Sequence, residues 1–214
     1  MDNQRLWPSI LAADLLNLAQ DLHTLTAHNI WQIHLDVMDN HYVPNLTFGP
    51  DMCAKIREKF PQMQIDVHLM TSPVDNLILN FAQNGANRIA IHTDSTANLP
   101  ESLALIQANG CQAGIAINPH ENLELDYPID YILAMTVNPG FGGQKLKPEV
   151  LKKINTIKQQ YPNTPIMADG GINLSNLPEL IACGINDFVI GTALFAHDFP
   201  NCINDYLRIL DNAN

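Results

Sequence analysis

The chain has 214 residues, 46% of them hydrophobic and 15% charged, which is enough for one sizeable core and short for two. Lys plus Arg number 11 against 22 Asp plus Glu, a formal net charge of −11; this argues against the basic face that nucleic acid or an anionic membrane requires, and leaves backbone N–H groups as the main holders of any anionic ligand. No run approaches the roughly 20 apolar residues of a membrane helix, Met1-Asp2-Asn3-Gln4-Arg5 leads into no signal-peptide core, and Cys53, Cys111, Cys183 and Cys202 form no C-x-x-C pair, so a cytoplasmic protein with free thiols is expected.

In chain order, short apolar runs rich in β-branched residues predict strands at Leu6–Leu11, Ile33–Asp39, Gln64–Met70, Arg88–Thr93, Gln112–Asn118, Tyr131–Asn138, Pro165–Gly171 and Asp187–Leu194. Between them apolar residues recur at helical spacing: Leu15, Leu18, Leu22 and Leu25; Leu77, Ile78 and Phe81; Leu151, Ile154 and Ile157. Each stripe is expected to pack on the sheet. Gly85, Gly110 and Gly184 read as residues just past helix ends, and Pro73, Pro100 and Pro148 as first-turn prolines. Eight repeated βα units over the whole chain, with no linker or composition break, predict a single domain of α/β class over residues 1–214, a (β/α)8 TIM barrel. A doubly wound open sheet is the other possibility, but its glycine-rich first turn is missing, since Ala12-Ala13-Asp14 follows strand one.

Barrel chemistry sits at the C-terminal strand ends. His34, Asp36 and Met38 alternate along strand two and share a face; Asp66, His68 and Met70 repeat the pattern in strand three; strand seven ends Asp169-Gly170-Gly171 and strand eight Gly191-Thr192. Either histidine alone reads as a hydrogen-bonded core residue. His34, Asp36, His68 and Asp169 together supply four N/O ligands for a divalent cation, and without one their burial would leave charges desolvated. The loop Asn138-Pro139-Gly140-Phe141-Gly142-Gly143-Gln144, with Gly170-Gly171 and Gly191-Thr192, lets backbone N–H groups approach an anion and suits a phosphorylated ligand.

These residues, with Pro8 to Asp14, the block His34 to Asn45 and Asp66 to Met70, closely resemble the motifs of the ribulose-phosphate 3-epimerase family, in order along nearly the whole chain. The resemblance implies interconversion of D-ribulose 5-phosphate and D-xylulose 5-phosphate in the pentose-phosphate pathway with one divalent metal ion, zinc first, with iron, manganese and cobalt as alternatives. It implies His34, Asp36, His68 and Asp169 as ligands. Asp36 and Asp169 become the two acid/base groups that carry a proton from one face of carbon 3 to the other through a cis-enediolate. It further implies Met38, Met70 and Met135 as a cap over the flat intermediate, and substrate contacts from Ser9, His68, Gly140, Phe141, Gly142, Gly143, Gly170, Gly171, Gly191 and Thr192. Without the resemblance, the methionines read as barrel packing and Ser9 as a turn hydroxyl.

The chain departs from the family pattern at His92-Thr93-Asp94, where His-x-Glu is common, at the compact Asn118 to Pro128 stretch, and at Lys145-Leu146-Lys147, where an aromatic residue is more usual. Asp39 and Asp66 are expected to support the ligands, while His41, His120 and His197 read as solvent-side. The expected partner is a small ketose phosphate, and the assembly a homo-oligomer. Competing expectations are an epimerase for another ketose phosphate such as D-allulose 6-phosphate, and a barrel that binds sugar phosphate without catalysis.

Overall fold

The computed structural model describes residues 4–124, 127–196 and 198–213. Its strands are β1 (Arg5–Pro8), β2 (Gln32–Met38), β3 (Gln64–Met70), β4 (Arg88–His92), β5 (Gln112–Ile117), β6 (Tyr131–Met135), β7 (Ile166–Asp169) and β8 (Asp187–Ile190). All seven pairings are parallel, in the order β1-β8-β7-β6-β5-β4-β3-β2. A single parallel bridge from Ser9 to His34 joins the two ends, so the sheet forms a nearly closed eight-stranded barrel.

The helices are α1 (Leu18–Ala27), α2 (Pro50–Lys59), α3 (Asp75–Gln83), α4 (Leu99–Ala108), α5 (Glu149–Gln160), α6 (Leu177–Ala182) and α7 (Phe199–Asp211). Among the described residues none is long and apolar enough to cross a membrane. The alternation of each strand divides its apolar residues between two cores. Ile33, Leu35, Ile65, Val67, Ile89 and Ile91 face the helices. Trp7, Ala90, Ala116, Leu133, Met167 and Val189 fill the barrel interior with Tyr131 and Met135. In α5, Val150, Ile154 and Ile157 are buried at intervals of four and three, each contributing about 1.5–3 kcal/mol by leaving water.

All eight expected strands form, but most end earlier than expected because the chain turns outward there to build loops. At Gly170 and Gly171, for example, φ is 114° and 65°, which a strand does not accommodate. The fifth βα unit lacks its helix: among the described residues after β5 none forms before β6. Leu15 is no part of the α1 stripe; it precedes the helix and is 48% exposed. Gly85, Gly110 and Gly184 take the positive φ expected past helix ends. Pro100 lies in the first turn of α4 and Pro148 caps α5, whereas Pro73 lies before α3 rather than in it.

Candidate metal centre and ligand cavity

The β2–β3 register sets His34 beside Asp66 and Asp36 beside His68, and the curvature of the barrel brings Asp169 from β7 to the same point. One ligand atom each from His34, Asp36, His68 and Asp169 lies within 4.8 Å of all the others. His34 Nε2 is 3.2 Å from Asp36 Oδ1 and 3.6 Å from Asp169 Oδ2, while His68 Nδ1 is 3.4 Å and 3.6 Å from the same two oxygens. His68 Nδ1 is buried and makes no hydrogen bond. A buried nitrogen aimed without a partner among two carboxylates is what a cation ligand requires, and the N2O2 donor set fits a divalent ion.

The electrostatics point the same way. Burial opposes a charge on His34, yet the carboxylates of Asp36, Asp66 and Asp169 outweigh it and hold the imidazole well above the ordinary histidine range. His68 is shifted up by the same contest between burial and the two cluster carboxylates. Burial likewise opposes ionisation of Asp36, but the neighbouring histidines win and hold it well below the usual carboxylate range. The cluster therefore draws positive charge into a dry site.

A layer of polar groups fixes these ligands. Ser9 Oγ donates to Asp36 Oδ2 at 2.6 Å, leaving Oδ1 for the cluster. His34 Nδ1 meets Asp66 Oδ2 at 2.7 Å, and the Tyr131 hydroxyl donates to Asp66 Oδ1 at 2.6 Å. Below Asp66, Arg88 lies with its guanidinium 4.5 Å and 3.9 Å from the Trp7 and Tyr131 ring centroids and donates to Asp187 at 2.9 Å. Arg5 binds the same carboxylate from the other side. Gly114 is required here: a Cβ on it would strike the Tyr131 ring.

Above the cluster opens a cavity of about 770 Å³. Asp36 and Asp169 face into it with Ser9, Met38, Met70 and Met135, and the far wall carries Gly140, Phe141, Gly142, Gly143, Gly170, Gly171, Gly191 and Thr192. Among the described residues no hydrogen bond engages the backbone N–H of Gly142, Gly143, Gly171 or Thr192, so this end of the cavity has backbone donors for an anion, with Lys145 also on its lining. Loop order is supplied locally: Gln144 Nε2 donates to the carbonyls of Asn138 and Phe141, Lys147 Nζ donates to Asn138 Oδ1, and Asn45 Nδ2 donates to the Gly140 carbonyl.

The expected site residues thus come together, with one distinction. His34 and His68 are fully buried behind the carboxylates rather than on the cavity wall, which gives His68 a ligand's position and no exposed edge. Asp66 contacts His34 of the cluster, whereas Asp39 instead accepts the N–H groups of His41, Tyr42 and Ser72 and shapes the β2–α2 loop. His41 and His120 are exposed, and His197 lies outside the described residues. Asp94, one methylene shorter than the usual glutamate, still accepts a 2.8 Å hydrogen bond from the Tyr42 hydroxyl, and Leu146 packs against the barrel core. Sequence reading missed Arg88 and Tyr131, polar residues at the N-terminal starts of their strands, and the contact of His92 with His68. Strand alternation on neighbouring β3 and β4 is the signal that could have found the last.

Comparison with known proteins agrees with this geometry. The model of the Ribulose-phosphate 3 epimerase family matches residues 5–195. A ribulose-phosphate 3-epimerase of Buchnera aphidicola subsp. Baizongia pistaciae is 43% identical over 96% of this chain and 95% of its own length. That of Escherichia coli K12 is 41% identical over 95% and 92%. In backbone shape alone, the chain is similar to 3-hexulose-6-phosphate synthase from Salmonella typhimurium, with a TM-score of 0.76 at 14% identity over 99% of this chain and 100% of that one. A KGPDC from Streptococcus mutans in complex with D-R5P gives 0.71 at 13% identity over 98% of each chain. Whole-length identity above 40%, on a barrel that gathers the motif residues at one mouth, places this chain in the ribulose-phosphate 3-epimerase family.

Proposed function

We propose that the chain, as one catalytic domain over residues 1–214, interconverts D-ribulose 5-phosphate and D-xylulose 5-phosphate by moving the proton at carbon 3. The observation that carries this reading is the placement of Asp36 and Asp169: two carboxylates from different strands face the cavity within 4.8 Å of each other and of two buried histidine nitrogens. Inversion at one carbon needs a base on one face and an acid on the other, and a pair that shares a site is poised for opposite protonation states. In one direction, one aspartate takes the proton from carbon 3 and the other returns a proton to the opposite face; the roles exchange in reverse.

His34, Asp36, His68 and Asp169 would hold one divalent metal ion, zinc being the first choice and iron, manganese or cobalt the others. When bound, it acidifies carbon 3 by withdrawing charge toward the sugar's carbonyl oxygen. Ser9 holds Asp36 so that only one carboxylate oxygen serves the cluster, and contributes a hydroxyl to the substrate. The thioethers of Met38, Met70 and Met135 pack over the planar intermediate and exclude water. Gly142, Gly143, Gly170, Gly171, Gly191 and Thr192 hold the phosphate through backbone N–H groups, with Gly140 and Phe141 closing over it. The protein works in the cytoplasm as a homo-oligomer.

The test is proton NMR of D-ribulose 5-phosphate in deuterated water, before and after chelation and metal restoration. D-Xylulose 5-phosphate with deuterium at carbon 3, lost on chelation and regained with metal, is the expected result. Greater efficiency on D-allulose 6-phosphate would reassign the substrate, and ligand binding with no exchange in folded, metal-loaded protein would overturn the enzymatic reading.

A further inference from the structure

His92 ends β4 directly beside His68 of β3. The two Nε2 atoms are 2.9 Å apart, the ring centroids 5.0 Å, and both side chains are fully buried. A hydrogen bond between two imidazole nitrogens needs one N–H and one lone pair. Which ring donates is decided at the other end of His68. Its Nδ1 lies 3.4 Å and 3.6 Å from carboxylate oxygens of Asp36 and Asp169, and to serve as a metal ligand there it must present a lone pair rather than a proton. The proton of neutral His68 therefore belongs on Nε2, with His92 Nε2 as its acceptor. On its far side, His92 is covered by the Tyr42 ring at a centroid distance of 4.9 Å, and Tyr42 is itself tied through its hydroxyl to Asp94. His92 does not line the cavity.

We infer that His92 is a positioning residue for the metal centre: by accepting the His68 Nε2–H it selects the tautomer whose Nδ1 lone pair faces Asp36 and Asp169. The two histidine ligands are then oriented by different chemistry, His34 by the carboxylate of Asp66 and His68 by a neutral imidazole. Tyr42 and Asp94 act one step farther out, by holding the plane of the His92 ring. This inference rests on the metal-assisted reading given above.

The experiment compares wild type, His92→Gln and His92→Phe, each stripped of metal and titrated with zinc against a chromogenic chelator. Thermal unfolding of the metal-free proteins is measured in parallel, together with long-range nitrogen–proton NMR of the zinc-loaded wild-type histidines. His92→Phe, with no acceptor, should bind zinc about 10–100-fold more weakly. His92→Gln, whose amide oxygen can take the place of Nε2, should restore binding to within a few-fold of wild type, and wild-type His68 should carry its proton on Nε2. Equal zinc affinity in wild type and a folded His92→Phe, or a His68 protonated on Nδ1, overturns the inference while leaving the proposed reaction standing. Failure of wild type itself to bind any divalent metal overturns both, so the two failures are distinguishable. If His92→Phe does not fold, the wild-type tautomer and the His92→Gln affinity still decide.

Discussion

His34 Nδ1 lies 2.7 Å from Oδ2 of Asp66, its direct cross-strand neighbour in the β2–β3 register. The carboxylate accepts the Nδ1–H, which orients the ring so that its Nε2 faces Asp36 and Asp169. Asp66 can do this because it is held ionised: its burial opposes the charge, but Arg88, His34 and Tyr131 together keep its pKa below the ordinary value. Asp66→Asn keeps the shape and loses the charge. Zinc affinity measured by chelator competition should fall about 10–100-fold, and the metal-free variant should unfold at lower urea because Arg88 is left with Asp187 alone. An affinity equal to wild type would remove Asp66 from the metal centre.

Metal should also act as a stabiliser, since the four ligands converge only in the folded chain. At a free zinc concentration 100 times the dissociation constant, the gain is about 2.7 kcal/mol, which for a chain of this size is a rise in Tm of about 5–11 °C. Differential scanning calorimetry with and without zinc checks this. No shift at saturating zinc would count against a folded-state site.

Gly171 tests the anion end of the cavity. Its φ is 65°, and an added Cβ would come within 2.8 Å of the Gln144 carbonyl and meet the Leu146 backbone as well. Gly171→Ala should therefore push the β6 loop away from its partner and misplace the N–H donors. Loss of one hydrogen bond to the charged phosphate, about 1.5–3 kcal/mol, corresponds to a rise of about ten- to hundredfold in KM for the sugar phosphate, with kcat little changed. Steady-state kinetics separates the two, and a fall in kcat alone would contradict a phosphate-holding role.

Asp39 carries a pH dependence whose sign can be worked out. Burial raises its pKa, but the backbone N–H groups of Ser72, Tyr42 and His41 favour the carboxylate more strongly, and the net shift is downward. A group with a folded pKa below its unfolded value of about 3.9 stabilises the fold fully above that value and loses the contribution as pH falls through the folded pKa. The stability difference between metal-free wild type and Asp39→Asn should stay constant from pH 7 to pH 5 and shrink below about pH 4. Urea midpoints across that range test it; a gap that persists unchanged to pH 3 would contradict the assignment.

Much of this was legible in the chain because two simple periodicities carry it. Alternation by two put His34 with Asp36, and His68 with Met70, on inward faces, and the rule that barrel chemistry sits at C-terminal strand ends added Asp169. The same rule hid Arg88, Tyr131 and Asp187, which lie at strand beginnings and matter through cross-barrel contacts that no local pattern encodes. Leu15 misled because an apolar residue one turn before a helix has the same spacing as one within it. The fifth helix was expected from the regularity of the repeat, but a repeat does not require every unit to complete its helix. His92 was noted only as the first residue of a motif that departs at Asp94, while its partner lay 24 positions away in sequence.

The floor beneath the metal centre has a kinetic consequence. Trp7, Tyr131 and Arg88 are 1%, 2% and 4% exposed and stack across the barrel, so among the described residues the cavity is a cup with one mouth. A product sugar must leave by the opening through which the next substrate enters, and the two cannot occupy the cup together. Each pentose phosphate is therefore a competitive inhibitor of the other's conversion, and accumulation of either slows its own formation by occupancy alone.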